Sequence, residues 1–203
     1  VLVYHSLGTV CHAQYQVDEA ENWYQQALSV SDRMGNAAQM GIEFHHLGLA
    51  EQAREMFVDD AEHWYLMALG KWQEVGDRRS EGDECRQLGV LFHEQKDLGK
   101  AEEWYGKARD VFEEIQDLNR ICRTYGQLGM VAEERDDILE ALLWAGRTYQ
   151  LAESNNLQVL IQVKAHLARL KEKHGAHNFA AWWREFANED PPTNLDVDPE
   201  TVL

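Results

Sequence analysis

Four columns of residues recur in phase along this chain, and they constrain its fold more than any other feature. Leu-Gly stands at Leu7-Gly8, Leu47-Gly48, Leu88-Gly89 and Leu128-Gly129, spaced by 40, 41 and 40 residues. Sixteen or 17 residues further on come Trp23-Tyr24, Trp64-Tyr65, Trp104-Tyr105 and Trp144-Ala145. A small residue precedes each of these (Ala20, Ala61, Ala101, Ala141), and another or Thr follows (Ala27, Ala68, Ala108, Thr148). Self-similarity at a fixed period marks a repeat architecture, in which each unit buries its apolar face only by stacking on its neighbours.

Ala20, Tyr24 and Ala27 are spaced four and three apart, so they share one face of a helix, where small side chains let a neighbour approach closely. The glycine of each Leu-Gly pair does the same on the preceding helix. Between the two helices stand Asp18, Asp59, Asp97 and Asp137, suited to cap a helix start. Between one pair and the next come Gly35-Asn36, Gly76-Asp77, Gln116-Asp117 and Asn155-Asn156, suited to a left-handed helix end followed by a new cap. The prolines are Pro191, Pro192 and Pro199, so helical structure is expected up to about residue 187. The expected helix pairs are 1–34, 37–75, 78–115 and 118–155. Segment Leu157 to His174 reads as a capping helix. The aromatic stretch Phe179 to Phe186 reads as a plug over the last repeat, the cap as a whole covering 157–187 and closing an array over 1–187. Residues 188–203, with two adjacent prolines, acids and no base, read as an acidic disordered tail. The four tryptophans are expected in the core between helices.

With Leu-Gly on the first helix and Ala, an aromatic and Ala on the second, residues 1 to 155 resemble the tetratricopeptide repeat family. The resemblance implies an all-α, right-handed superhelical solenoid of four antiparallel helix pairs plus a C-terminal capping helix. The period is near 40 instead of the family's usual 34, and Gly-Asn or Gly-Asp replaces the proline that commonly ends the family's second helix. Long repeats of this kind look like those of kinesin light chains, polarity adaptors and the sensor arrays of some signalling ATPases. The resemblance also implies that positions two before, two after and five after each Leu of Leu-Gly face a concave groove. These are His5, Thr9 and His12; His45, Leu49 and Gln52; Arg86, Val90 and His93; Gly126, Met130 and Glu133. One turn earlier it adds Leu2, Ile42, Asp83 and Arg123. Neither a carboxylate clamp of Lys, Asn and Arg nor paired Asn flanks occur in these columns.

Nineteen basic against 36 acidic residues give a formal charge of −17, which repels phosphate backbones and anionic lipid, so no nucleic-acid or membrane partner is expected. Cys11, Cys85 and Cys122 form no paired spacing, no apolar run reaches the roughly 18 residues a bilayer span needs, and a cytoplasmic location is expected. His5, His12, His45 and His93 lack a tight metal-binding spacing. Cys11-His12 point different ways on a helix, and no glycine loop of the phosphate-cradling kind occurs, so neither catalysis nor a cofactor is expected. The resulting expectation is a scaffold that holds a protein or peptide partner in the groove. The alternative is a regulatory sensor array within a larger signalling ATPase or other multidomain protein, acting on other domains of the same polypeptide.

Overall fold

The computed structural model describes residues 1–54, 58–187, 190–193 and 195. Its helices are α1 (Leu2–Ala13), α2 (Val17–Arg33), α3 (Ala37–Gln52), α4 (Val58–Val75), α5 (Arg78–Glu94), α6 (Leu98–Glu114), α7 (Leu118–Glu134), α8 (Ile138–Ser154), α9 (Leu160–His174) and α10 (Ala176–Ala187). The fold is all-helical, and residues Val1–Val111 and Phe112–Leu203 form two compact units.

One turn design recurs between helices. A single residue enters the left-handed region: Tyr15, Gly35, Gly76, Lys96, Gln116, Asp136 or Asn156, with φ from 51° at Asn156 to 72° at Gly76. The next N–H then closes back on the carbonyl five residues earlier, as in Asp77 N to Trp72 O and Asp117 N to Phe112 O, both at 3.0 Å. This closure satisfies carbonyls that a helix end leaves without partners. Five of the residues making it then cap the next helix, whereas Gln16 and Leu157 do not. Asn36, Asp77, Asp97, Asp117 and Asp137 each accept a hydrogen bond from the backbone N–H three residues on, at 3.0–3.2 Å.

Of the expected caps, Asn156 instead takes the left-handed conformation itself, and α9 starts without a side-chain cap. Asp18 is not a cap either: α2 begins at Val17 after Gln16, and Asp18 lies in the first turn, where its carboxylate meets Arg54 Nη2 at 2.6 Å. The cause is register. Asp97 and Asp137 stand nine residues after Leu88 and Leu128, and nine residues after Leu7 is Gln16. The Asp59 side chain lies outside the described residues.

Within Val1–Val111 the Leu-Gly and Tyr columns meet. A Cβ on Gly8 would lie 2.6 Å from the Tyr24 ring, and one on Gly48 or Gly89 would lie 2.5 Å from Tyr65 or Tyr105. The tyrosines are fully buried, so the bare glycine backbone is what admits each ring. Ala20, Tyr24, Phe44, Leu47, Ala68 and Trp72 form a core there. Trp144 is buried as expected, but Trp23, Trp64 and Trp104 are only partly buried. Trp23 stacks on Tyr4 and Trp64 on Phe44, each at 5.8 Å, while Trp104 lies under Lys107 Nζ at 3.5 Å. Tyrosine, pointing along the Ala-Tyr-Ala stripe, takes the core position, and tryptophan one residue earlier is turned toward the rim.

In Phe112–Leu203, α10 packs on α8 and α9 through Phe179 and Trp183, joined by Leu142, Ala145, Tyr149, Val163, Leu167 and Leu170. Leu195 belongs to the same cluster and is 2% exposed, so the expected disordered tail over 188–203 does not hold at that residue. An apolar side chain there covers aromatic surface that water would otherwise wet. Asp190 pairs with Arg184 at 2.8 Å. Residues 188–189, 194 and 196–203 of the expected tail lie outside the described residues. Among the described residues no helix is long and apolar enough to cross a membrane.

Candidate functional site

The first helices α1, α3 and α5 carry most of the expected groove residues, and two hollows open on them. One, of about 730 Å³, is lined by His12, Leu49, Gln52, Ala53, Gln87, Val90, Leu91, Glu94 and Gln95. The other, of about 400 Å³, shares His12, Leu49 and Ala53 and adds Thr9, Tyr24 and His46 among its walls. Of the residues expected in the groove, Thr9, His12, Leu49, Gln52 and Val90 come together here.

A polar network sits on the wall of the larger hollow. Tyr65 Oη donates to Gln52 Oε1 at 2.6 Å, Gln87 Nε2 donates to the same oxygen at 3.1 Å, and Gln52 Nε2 donates to Glu94 Oε2 at 2.6 Å. Burial pushes the Tyr65 hydroxyl's pKa up, so it stays a donor. Around this network Leu49, Val90 and Leu91 supply apolar surface. The arrangement can accept an extended chain: apolar floor for side chains, amides and a carboxylate for the polar groups of its backbone.

The remaining expected residues are placed otherwise. His5 Nδ1 is 3.1 Å from Glu43 Oε2, and His45 Nδ1 is 3.1 Å from Glu84 Oε2. Glu43 is fully buried and Glu84 nearly so; burial raises the Glu84 pKa, opposed by the His45 hydrogen bond. Each pair therefore ties one first helix to the next, and these two imidazoles are taken up by neighbours. Arg86 lines neither hollow, and its Nε is buried without a partner. His93 stands edge-on to Tyr105 at 6.3 Å. Ile42 packs on the core, and Leu2 is 75% exposed.

In Phe112–Leu203, Arg123 and Gly126 line a separate cavity of about 170 Å³, and Met130 is exposed. Glu133 is not an open groove residue: His166 Nε2 lies 2.6 Å from it and Arg169 Nη2 2.8 Å. Helix α9 covers the position that the column rule assigned to a ligand.

Sequence reasoning missed Glu43 and Glu84 as partners of the histidines. The signal was present, because both stand four residues before a Leu-Gly leucine and both histidines stand two before the previous one. It also missed Glu94 and Gln95, which extend the Val90 face by one turn.

Two segments match family models described as tetratricopeptide repeat, residues 84–154 and residues 2–33. No curated protein matches the chain. Among solved structures, BtubC (BKLC) from P. vanneervenii is similar with a TM-score of 0.68 and 20% identity over 76% of this chain. This chain spans 63% of that one. A Podosopora anserina protein described as a kinesin light chain with nearly identical TPR-like repeats gives a TM-score of 0.69 at 14% identity, covering 91% of this chain and 93% of that one. The apo form of RapI gives 0.66 at 16% identity, covering 91% and 76%. At these identities the likeness is one of fold.

Proposed function

The chain belongs to the tetratricopeptide repeat family, and from that premise we propose that it is a protein-interaction scaffold whose α1–α3–α5 face holds an extended peptide or helix of a partner. The observation that carries this reading is the larger hollow, where Leu49, Val90 and Leu91 adjoin the Tyr65–Gln52–Gln87–Glu94 network. Sites for ligands are typically apolar with a few placed polar groups that fix orientation. The function so proposed needs no bond-making chemistry and no cofactor.

Neither Arg86 nor Arg123 lines the hollow, and Glu94 does. We therefore propose a segment with apolar and amide or basic side chains, steered by the acidic surplus of the chain. The test is affinity capture from the native cell extract with the intact chain and with Leu49→Glu plus Val90→Glu, helicity being checked by circular dichroism. A partner held by the first and lost by the second, with binding that weakens as salt rises, supports the reading. Equal retention by both places the interaction elsewhere on the chain.

A second reading, an array serving other domains of a longer polypeptide, is favoured by α1. Leu2, Val3, Leu7 and Val10 are 75%, 70%, 39% and 53% exposed, an apolar stripe that water does not favour. A native protein whose mass in the cell equals that of this chain would remove it.

A further inference from the structure

The fourth repeat departs from the other three where they are most alike. In the first three, a tyrosine ring is pressed onto the bare backbone of the Leu-Gly glycine, within 2.5–2.6 Å of where a Cβ would stand. In the fourth, Ala145 replaces the tyrosine while Gly129 keeps the glycine. A Cβ on Gly129 would meet nothing nearer than Trp144 Cβ at 3.6 Å. The column two before the leucine is also emptied: His5, His45 and Arg86 give way to Gly126, where a Cβ would meet nothing within 4 Å.

The missing side chains leave the cavity of about 170 Å³ between α7, α8 and α9, on whose walls Gly126, Gly129 and Ala145 all lie. Its polar lining groups are largely satisfied. Thr148 Oγ1 donates to Trp144 O at 2.8 Å, and His166 is engaged by Glu133. Cys122 is a buried neutral thiol, its pKa pushed up to about 11 by burial. An apolar cavity of about 150 Å³ is enough to hold a benzene ring. Arg123, exposed at the lining, has no hydrogen-bond or ion-pair partner among the described residues.

We propose that this cavity is a binding site for one aromatic ring of tyrosine size, entering where repeats one to three carry their own tyrosine, with any oxygen substituent directed toward Arg123. The site shares no lining residue with the hollows on α1, α3 and α5 and does not rest on that reading. The ring can be a free small molecule or the side chain of a polypeptide, and the same chemistry would recognise both.

The test is titration of the full chain with p-cresol, 4-hydroxyphenylacetate and N-acetyltyrosinamide, followed by backbone amide shifts of Gly126, Gly129 and Ala145. Saturable shifts with p-cresol, abolished in Ala145→Tyr, are expected. Arg123→Gln is expected to weaken 4-hydroxyphenylacetate several-fold while leaving p-cresol within about twofold, since only the anion uses the guanidinium. Binding of N-acetyltyrosinamide as well supports a polypeptide side chain as the source; binding of the free phenols alone supports a small molecule. Ala145→Tyr is also expected to raise the thermal midpoint, which shows that it folds with the ring in place. An absence of saturable shifts at these three residues with any of the probes, or shifts that persist unchanged in a folded Ala145→Tyr, overturns the proposal.

Discussion

Single residues decide where backbone meets ring. A methyl group on Gly48 would collide with the buried Tyr65 ring, whereas one on Gly129 has room. Gly48→Ala is therefore expected to lose about 1–2 kcal/mol, overpacking outweighing the gain in helix propensity. Gly129→Ala should gain up to about 1 kcal/mol from that propensity. Denaturant midpoints of the two variants check the contrast. His46 supplies a second residue-scale effect. Its ring stacks on Tyr24 at 5.0 Å and stands edge-on to His5 and His45. Burial first, then the neighbouring His45, His5 and His12, lowers its pKa to about 3. The unfolded chain, titrating near 6.5, binds the extra proton between these values, so stability falls as pH drops below 6.5 toward 3. The loss should reach a few kcal/mol at the acid end. Unfolding curves from pH 7 to 4 should show a weaker acid dependence in His46→Phe.

At the scale of the element, helices here are defined by how they stop and start. Asp77 takes the Ser80 N–H at 3.1 Å, and that bond does most to hold its carboxyl below the usual range. Asp77→Ala should cost about 1 kcal/mol at neutral pH. Because the folded pKa is depressed, the contribution is present above about pH 4 and disappears as pH falls through the folded value. Asp18→Ala, at a position that caps nothing, should change stability by no more than about 0.5 kcal/mol. Thermal midpoints at pH 7 separate the two aspartates. Lys96, Gln116 and Asp136 hold left-handed conformations without being glycine. Their turns were harder to see in the sequence for that reason, although the capping residue that follows marked them.

For the whole molecule, each compact unit carries its own core, and stability in a repeat protein is set by nearest neighbours. Trp183 is fully buried among α8, α9 and α10. Trp183→Ala should cost about 3–5 kcal/mol locally. Hydrogen exchange should then show protection lost in α8–α10 while α1–α4 keep theirs. A uniform loss across both sets would show that the cores do not open separately.

The sequence by itself determined the all-helical class, the repeat family and five of the caps, because those depend on local spacing: 3.6 residues per turn, a glycine opposite an aromatic, a side-chain acceptor ahead of a helix. The tertiary structure alone decided how the groove columns are used. His5, His45 and Glu133 obey the same column rule as Leu49 and Gln52, yet buried Glu43, buried Glu84 and helix α9 engage them first. Ala145 was visible as a departure from the tyrosine column, but a substitution in one column becomes a cavity only if no other helix fills the space. That outcome depends on the volume of side chains brought together from α7, α8 and α9, and no spacing within a single helix encodes it.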